Sequence, residues 1–221
     1  MKIKILSNPS LENTAESQAA EQLKEMLLSS VPNDIKGQIN IAANVCIPVQ
    51  SVRDIDLIVW GNLSNCVLPH FYCEEINGSK KDLQVKDFFL AIELKSHPTD
   101  KVYCQDSHLF VNYANEIKDV TSQSEDLRFS MMYFLRQSCN VNVRVSNAIW
   151  FNLITNAELA QITSNRNLGA LPSEFSFRDL ITTIIEQGMK PTRDWLNDRY
   201  VLTSGIDSEE VYSSIINVFK R

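Results

Sequence analysis

Two apolar runs constrain this chain more than anything else in it. Ile55-Asp56-Leu57-Ile58-Val59-Trp60 and Phe88-Phe89-Leu90-Ala91-Ile92-Glu93-Leu94 are too short for buried helices and too continuous for half-exposed strands. Runs of this length and β-branched content read as strands covered on both faces, in the interior of a sheet with helices above and below. Each run is interrupted by a carboxylate, Asp56 in one and Glu93 in the other. A charge inside a greasy strand needs a partner or a purpose.

Around these strands the period of hydrophobicity changes several times. Residues 11–29 read as a helix, with Ala15, Ala19, Leu23, Met26 and Leu27 at spacings of three and four. Turn chemistry in Ser29-Ser30-Val31-Pro32-Asn33-Asp34 ends it, and from Gly37 onward Ile39, Ile41, Val45, Ile47 and Val49 continue at a period of two. The strand beginning at Arg53-Asp54 is expected to close at Gly61-Asn62, while that of Phe88–Lys95 stops at Ser96-His97-Pro98, because proline cannot continue a ladder.

Residues 63–86, with turn signals at Asn77-Gly78-Ser79, read either as a hairpin or as a surface insertion. A long helix is expected over about 116–137, its buried stripe marked by Val120, Leu127, Met131, Phe134 and Leu135. A strand follows over 143–154, then shorter helices at about 156–163, 176–187 and 207–219. The order predicts an α/β fold, a mixed sheet flanked by helices, in one domain spanning 1–221. Its core would occupy about 10–155 and a helical part about 156–221.

Composition narrows the classes of function. The 221 residues carry 27 acids against 21 bases, a formal charge of -6, which argues against a non-specific nucleic-acid coat. The acidic excess is largest in residues 51–100, with eight acids and five bases, where both carboxylate-bearing strands lie. No apolar run reaches bilayer length, and the polar N-terminal stretch through Asn8-Pro9 is unlike a signal peptide. Cys46, Cys66, Cys73, Cys104 and Cys139 are odd in number and irregularly spaced, unlike a disulfide framework. A cytoplasmic setting without membrane association is therefore expected. Cys66, His70, Cys73, Cys104 and His108 contain enough ligands for zinc, but at spacings of no standard finger, and packing is the expected use.

Side chains two apart on a strand share a face, so Glu93 and Lys95 point together. If the two strands are neighbours, Asp56 stands beside Glu93, and two carboxylates so close call for a cation or a proton between them. A hard divalent ion with oxygen ligands and retained waters answers that need. A lysine beside it would orient a water or stabilise charge developing on a phosphate. Metal-assisted phosphodiester hydrolysis uses these parts.

The pattern Asp56…Glu93-Leu94-Lys95 on successive strands resembles the signature of PD-(D/E)XK nucleases, and within them the nuclease-related domain (NERD) branch. Asp54-Ile55-Asp56-Leu57-Ile58-Val59 is similar to that branch's acidic strand and Ala91-Ile92-Glu93-Leu94-Lys95 to its ExK strand. Ala15-Glu16-Ser17-Gln18-Ala19 resembles its opening helix, and Gln123 with Leu127 its glutamine-bearing helix. The resemblance covers roughly residues 10–155 and implies a restriction-endonuclease-like fold that cleaves DNA with Mg2+, or Mn2+ in its place. It implies metal ligation by Asp56, Glu93 and the Leu94 carbonyl, with Lys95 assisting the nucleophilic water and Glu16 and Gln123 supporting the site. A helicase-like or other DNA-processing partner is also implied. The 37 positions from Asp56 to Glu93 depart from the pattern, leaving about 62–86 as a specificity loop or partner surface.

Other readings stand beside this one. The same fold can serve as a non-cleaving nucleic-acid-binding or protein-docking module, which the acidic charge and lack of a basic stripe favour, and RNA is an alternative substrate. His97 is read as a loop residue ahead of Pro98 rather than a general base. Trp60 and Trp150 are expected in the core, and Trp195 is expected to pack rather than to stack on a base. No Walker-type loop, G-x-S-x-G elbow or Cys/His nucleophile pattern is present.

Overall fold

In the computed structural model, described for residues 1–6, 14–32, 34–48, 50, 54–71, 81–206 and 208–219, the two apolar runs are neighbours in one large sheet. The elements in chain order begin with β1 (Lys2–Leu6), α1 (Ala15–Ser30), β2 (Lys36–Cys46), β3 (Asp54–Phe71) and β4 (Lys81–Lys95). A 3-10 turn at Thr99–Lys101 leads to a three-stranded meander of β5 (Val102–Gln105), β6 (His108–Asn112) and β7 (Ile117–Asp119). Then come α2 (Val120–Cys139), β8 (Ser146–Phe151), α3 (Asn156–Thr163), β9 (Ala170–Leu171), α4 (Phe177–Glu186), β10 (Thr192–Asp194), β11 (Arg199–Leu202) and α5 (Glu209–Phe219).

The eight-stranded sheet is mixed. β2, β3 and β4 are successive antiparallel neighbours, and β1 lies parallel to β2. β4 is long enough to hold two partners on one edge: β11 runs parallel to its first half at Leu83–Val85, and β8 to its second half at Leu90–Lys95. Alternation along the central strands sorts side chains to two faces. Leu57, Val59, Leu90 and Ile92 pack with Leu23 and Leu27 of α1 and Leu180 and Ile184 of α4. Ile58, Trp60, Phe89 and Ala91 pack with Leu127, Met131 and Leu135 of α2 and Ile215 of α5. Trp60 and Trp150 are fully buried, as expected of core aromatics.

The structure moves the expected end of β3 and favours the hairpin over the insertion for residues 63–86. Gly61-Asn62 does not close the strand; β3 continues to Phe71 and pairs with β4 from Leu57–Ile92 as far as Phe71–Lys81. Gly61 is there because it faces Phe88: a Cβ at this position would come within 2.6 Å of the Phe88 ring. The long spacing between Asp56 and Glu93 is thus a hairpin extended away from the site, rather than a separate insertion, and its tip at 72–80 lies outside the described residues. Positive φ angles at Asn65 and His70 accompany two shifts of register in this extension.

Other boundaries also move. Residues 117–119, expected to open the long helix, form β7, and Asp119 caps α2 by accepting the Ser122 N–H at 3.0 Å. The strand expected over 143–154 narrows to 146–151. The segment 156–221, expected to be helical, also contributes β9, β10 and β11. Residues 11–13 of the predicted first helix lie outside the described residues; Thr14 caps the remainder, its hydroxyl accepting the Ser17 N–H at 3.1 Å.

One buried carboxylate joins β4 to the chain after β11. Asp87 Oδ1 accepts hydrogen bonds from the Ser204 N–H at 2.7 Å, the Ser204 hydroxyl at 2.6 Å, the Gly205 N–H at 3.0 Å and the Ile206 N–H at 3.1 Å. Its Oδ2 accepts from the Thr203 hydroxyl at 2.6 Å. Five donors around one carboxylate make its burial tolerable, and they anchor the return of the chain across the middle of β4.

Candidate active site

The register that pairs Leu57 with Ile92 places Asp56 directly opposite Glu93, on the face covered by α2. Asp56 Oδ2 accepts the Leu94 backbone N–H at 2.7 Å, which fixes the carboxylate against β4. Glu93 and Lys95 are nearly inaccessible, at 5% and 6% exposure, and Lys95 Nζ donates to Glu93 Oε1 at 2.6 Å. Gln123 Nε2, in the first turn of α2, donates to the same oxygen at 2.7 Å.

These groups also act on one another through their charges. Burial, together with the Glu93 charge, pushes the Asp56 carboxyl from 3.8 up to about 6, against the lowering effects of the Leu94 N–H and the Lys95 charge. Glu16, half-buried in the first turn of α1, adds a smaller push in the same direction and so lies within electrostatic range of Asp56. Burial works to lower the Lys95 ammonium, but the charge and hydrogen bond of Glu93, reinforced by Tyr113, hold it above its ordinary value. Asp56, Glu93, Lys95 and Gln123 therefore meet at one junction with the backbone of Leu94, and Glu16 is linked to it only through its charge acting on Asp56.

No family model, curated protein or solved structure matches the chain.

Sequence reasoning missed Tyr113. It sits on the turn between β6 and β7, close enough to Lys95 to act on the charge of that ammonium. The meander that carries it is short-stranded and lies in the stretch left unread between Pro98 and residue 116, so no periodic signal announced it. His97 lies in the loop after β4, as expected, with its ring edge-on to Tyr113 at 4.7 Å between centroids. Burial and the Lys95 charge both lower its pKa from 6.5.

The carboxylates retain capacity for a cation. With Oδ2 of Asp56 and Oε1 of Glu93 engaged, Oδ1 and Oε2 have no hydrogen-bond partner among the described residues. Among those residues, no group of three or more His, Cys, Asp or Glu side chains is placed to hold a metal ion. A divalent ion here would have two carboxylates, a backbone carbonyl and its own waters, the donor set that suits Mg2+ rather than a dehydrated ion such as zinc.

The zinc candidates are scattered. Cys66 is fully buried on β3, its thiol pushed up by burial to about 12, whereas Cys104 and His108 belong to the meander. His108 Nδ1 is 2.8 Å from Asp119, and Cys73 lies outside the described residues. Trp195 does not pack as expected: it is 72% exposed at the β10–β11 turn, with the Arg193 guanidinium 3.7 Å from its ring centroid. No helix among the described residues is long and apolar enough to cross a membrane.

Proposed function

We propose that this protein is a Mg2+-dependent deoxyribonuclease of the PD-(D/E)XK type with a restriction-endonuclease-like core. The observation that carries the reading is the cross-strand junction at which Asp56 accepts the Leu94 N–H while Lys95 and Gln123 both donate to Glu93. The order α1, β2–β3–β4, α2, β8, with β2 to β4 antiparallel and β8 parallel to β4, supports the same core.

Asp56, Glu93 and the Leu94 carbonyl would hold the ion. When bound, it would polarise a phosphoryl oxygen and lower the pKa of a water. Asp56 is ready for this only when deprotonated, and the Leu94 N–H favours that form. Lys95 keeps its proton at neutral pH and presents a fixed positive charge where negative charge develops on the phosphate. Gln123 holds Glu93 in one orientation, so that its free oxygen faces the site.

The test is cleavage of plasmid and linear DNA with Mg2+ or Mn2+, with RNA as a comparison substrate. Wild type should cut, and Asp56→Asn and Glu93→Gln should each lose activity about a thousandfold or more. Turnover that survives both substitutions rules the hydrolase out. Salt-dependent binding of DNA by wild type without turnover would favour the non-cleaving module instead.

A further inference from the structure

We propose that the outer face of the β5–β7 meander stacks unpaired bases, so that the substrate is DNA with a single-stranded segment; the choice of ligand rests on the nuclease reading. Alternation along these strands sends Val102, Leu109 and Val111 inward, onto Val120, Ile149 and Phe151. Tyr103, His108 and Phe110 point the other way. Tyr103 and Phe110 are cross-strand partners, with ring centroids 5.3 Å apart and planes within 15°. His108 continues the row along β6, 6.4 Å from Phe110 and 29° between planes. Both ends of the row reach solvent: Tyr103 is 36% exposed and the His108 side chain 44%.

A row of near-parallel rings with a phenol at one end and an imidazole at the other matches a flat ligand with a polar rim, which describes a nucleobase. Strands of four, five and three residues offer roughly 250 Å² of face. A stable protein partner needs about 800 Å² on each side. The face adjoins the candidate site by two routes. Asp119, 2.8 Å from His108 Nδ1, also caps α2, and Gln123 follows one turn later with its hydrogen bond to Glu93. At the other end of β6, Tyr113 meets His97, which follows Lys95 by two residues. A strand laid on the row is thus led toward Glu93 and Lys95. Charges around the meander are mixed, Lys101 and Lys118 against Asp100, Asp106 and Glu116, and Lys118 is already paired with Glu116 at 3.0 Å. Attraction therefore comes from the rings rather than from neutralised phosphates. Bases in a duplex already stack on one another, so the gain is reserved for an unpaired strand.

The test is fluorescence anisotropy of the full chain with a labelled single strand of about twelve nucleotides and its duplex, in chelator so that nothing is cut. The single strand should bind at least tenfold tighter than the duplex. Tyr103→Ala and Phe110→Leu should each weaken it about tenfold, the leucine keeping apolar bulk while removing the π-face, and Tyr103→Phe should bind as wild type does. Wild-type affinity should fall less than about tenfold between roughly 50 and 200 mM salt. Unchanged affinity in folded Tyr103→Ala and Phe110→Leu, a preference for duplex, or equal binding of a strand with abasic spacers overturns the proposal. So does a wild-type dimer, seen by light scattering, that Tyr103→Ala converts to monomer, since the face is then a protein interface. Cleavage with Mg2+ is scored separately. A wild type that cuts while the ring variants bind normally keeps the nuclease and loses the stacking face; one that binds through the rings and cuts nothing does the reverse.

Discussion

Gln123 Nε2 stands 2.7 Å from Glu93 Oε1, and the same oxygen receives Lys95 Nζ at 2.6 Å. Two donors on one oxygen leave the other oxygen of Glu93 to face the site. Gln123→Ala should therefore loosen Glu93 without removing a reacting group, lowering kcat about ten- to a hundredfold. Gln123→Glu should be worse, since it sets a second negative charge against the first. Cleavage rates of the two variants, compared at equal folded fraction, check the ordering.

Asp56 makes the metal-free protein sensitive to pH. Its pKa rises from 3.8 unfolded to about 6 folded, so the folded state binds more protons between those values. Stability from this group is complete below pH 4 and is lost as pH rises toward 6, at a cost of about 2–3 kcal/mol. Asp56→Asn should consequently raise the melting temperature at pH 8 without metal, and leave it nearly unchanged at pH 4. Thermal melts of both proteins in chelator at the two pH values decide this.

Divalent metal should reverse that penalty. Mg2+ at a hundred times its dissociation constant would stabilise the folded chain by about 2.7 kcal/mol. For a chain of this size that corresponds to roughly 5–10 °C in melting temperature. Asp56→Asn should abolish the Mg2+ shift along with cleavage. A shift of equal size in the variant would place the ion elsewhere.

Asp87 is predicted to matter for stability alone. Asp87→Ala leaves the Thr203 and Ser204 hydroxyls and the N–H groups of Ser204, Gly205 and Ile206 without their acceptor. The expected loss is about 3–5 kcal/mol, measured by urea unfolding. Leu196→Ser, at a side chain 97% exposed, should change stability by less than about 0.5 kcal/mol.

The central sheet and the junction of Asp56, Glu93 and Lys95 were legible because their signals are local, whereas Glu16 and Gln123 entered only through the family resemblance. Continuous apolar runs identified β3 and β4, and one misplaced carboxylate in each identified the junction. Helix α3 matched its expected bounds at 156–163, where Thr155 and Glu158 form a capping box. Residues that depend on distant partners were not legible. Gly61 looked like a strand end because glycine usually is one; only Phe88 across the ladder explains it. Asp87 carries no local signal of its burial, since its donors lie more than a hundred residues downstream. The meander failed for a different reason: strands of three to five residues are shorter than the window in which a period can be seen.

The double pairing of β4 has a consequence for how the chain becomes active. Tyr200, the partner of Leu83, is made 117 residues after it. Until then the strand that bears Glu93 and Lys95 has half of one edge bare, and Asp87 sits in a forming interior with nothing to receive its charge. A ribosome-bound chain halted after β8 would possess every group of the proposed site and still lack the clasp that keeps its central strand in place. On the nuclease reading, competence to cut would arrive late in synthesis, with the return of a short downstream strand.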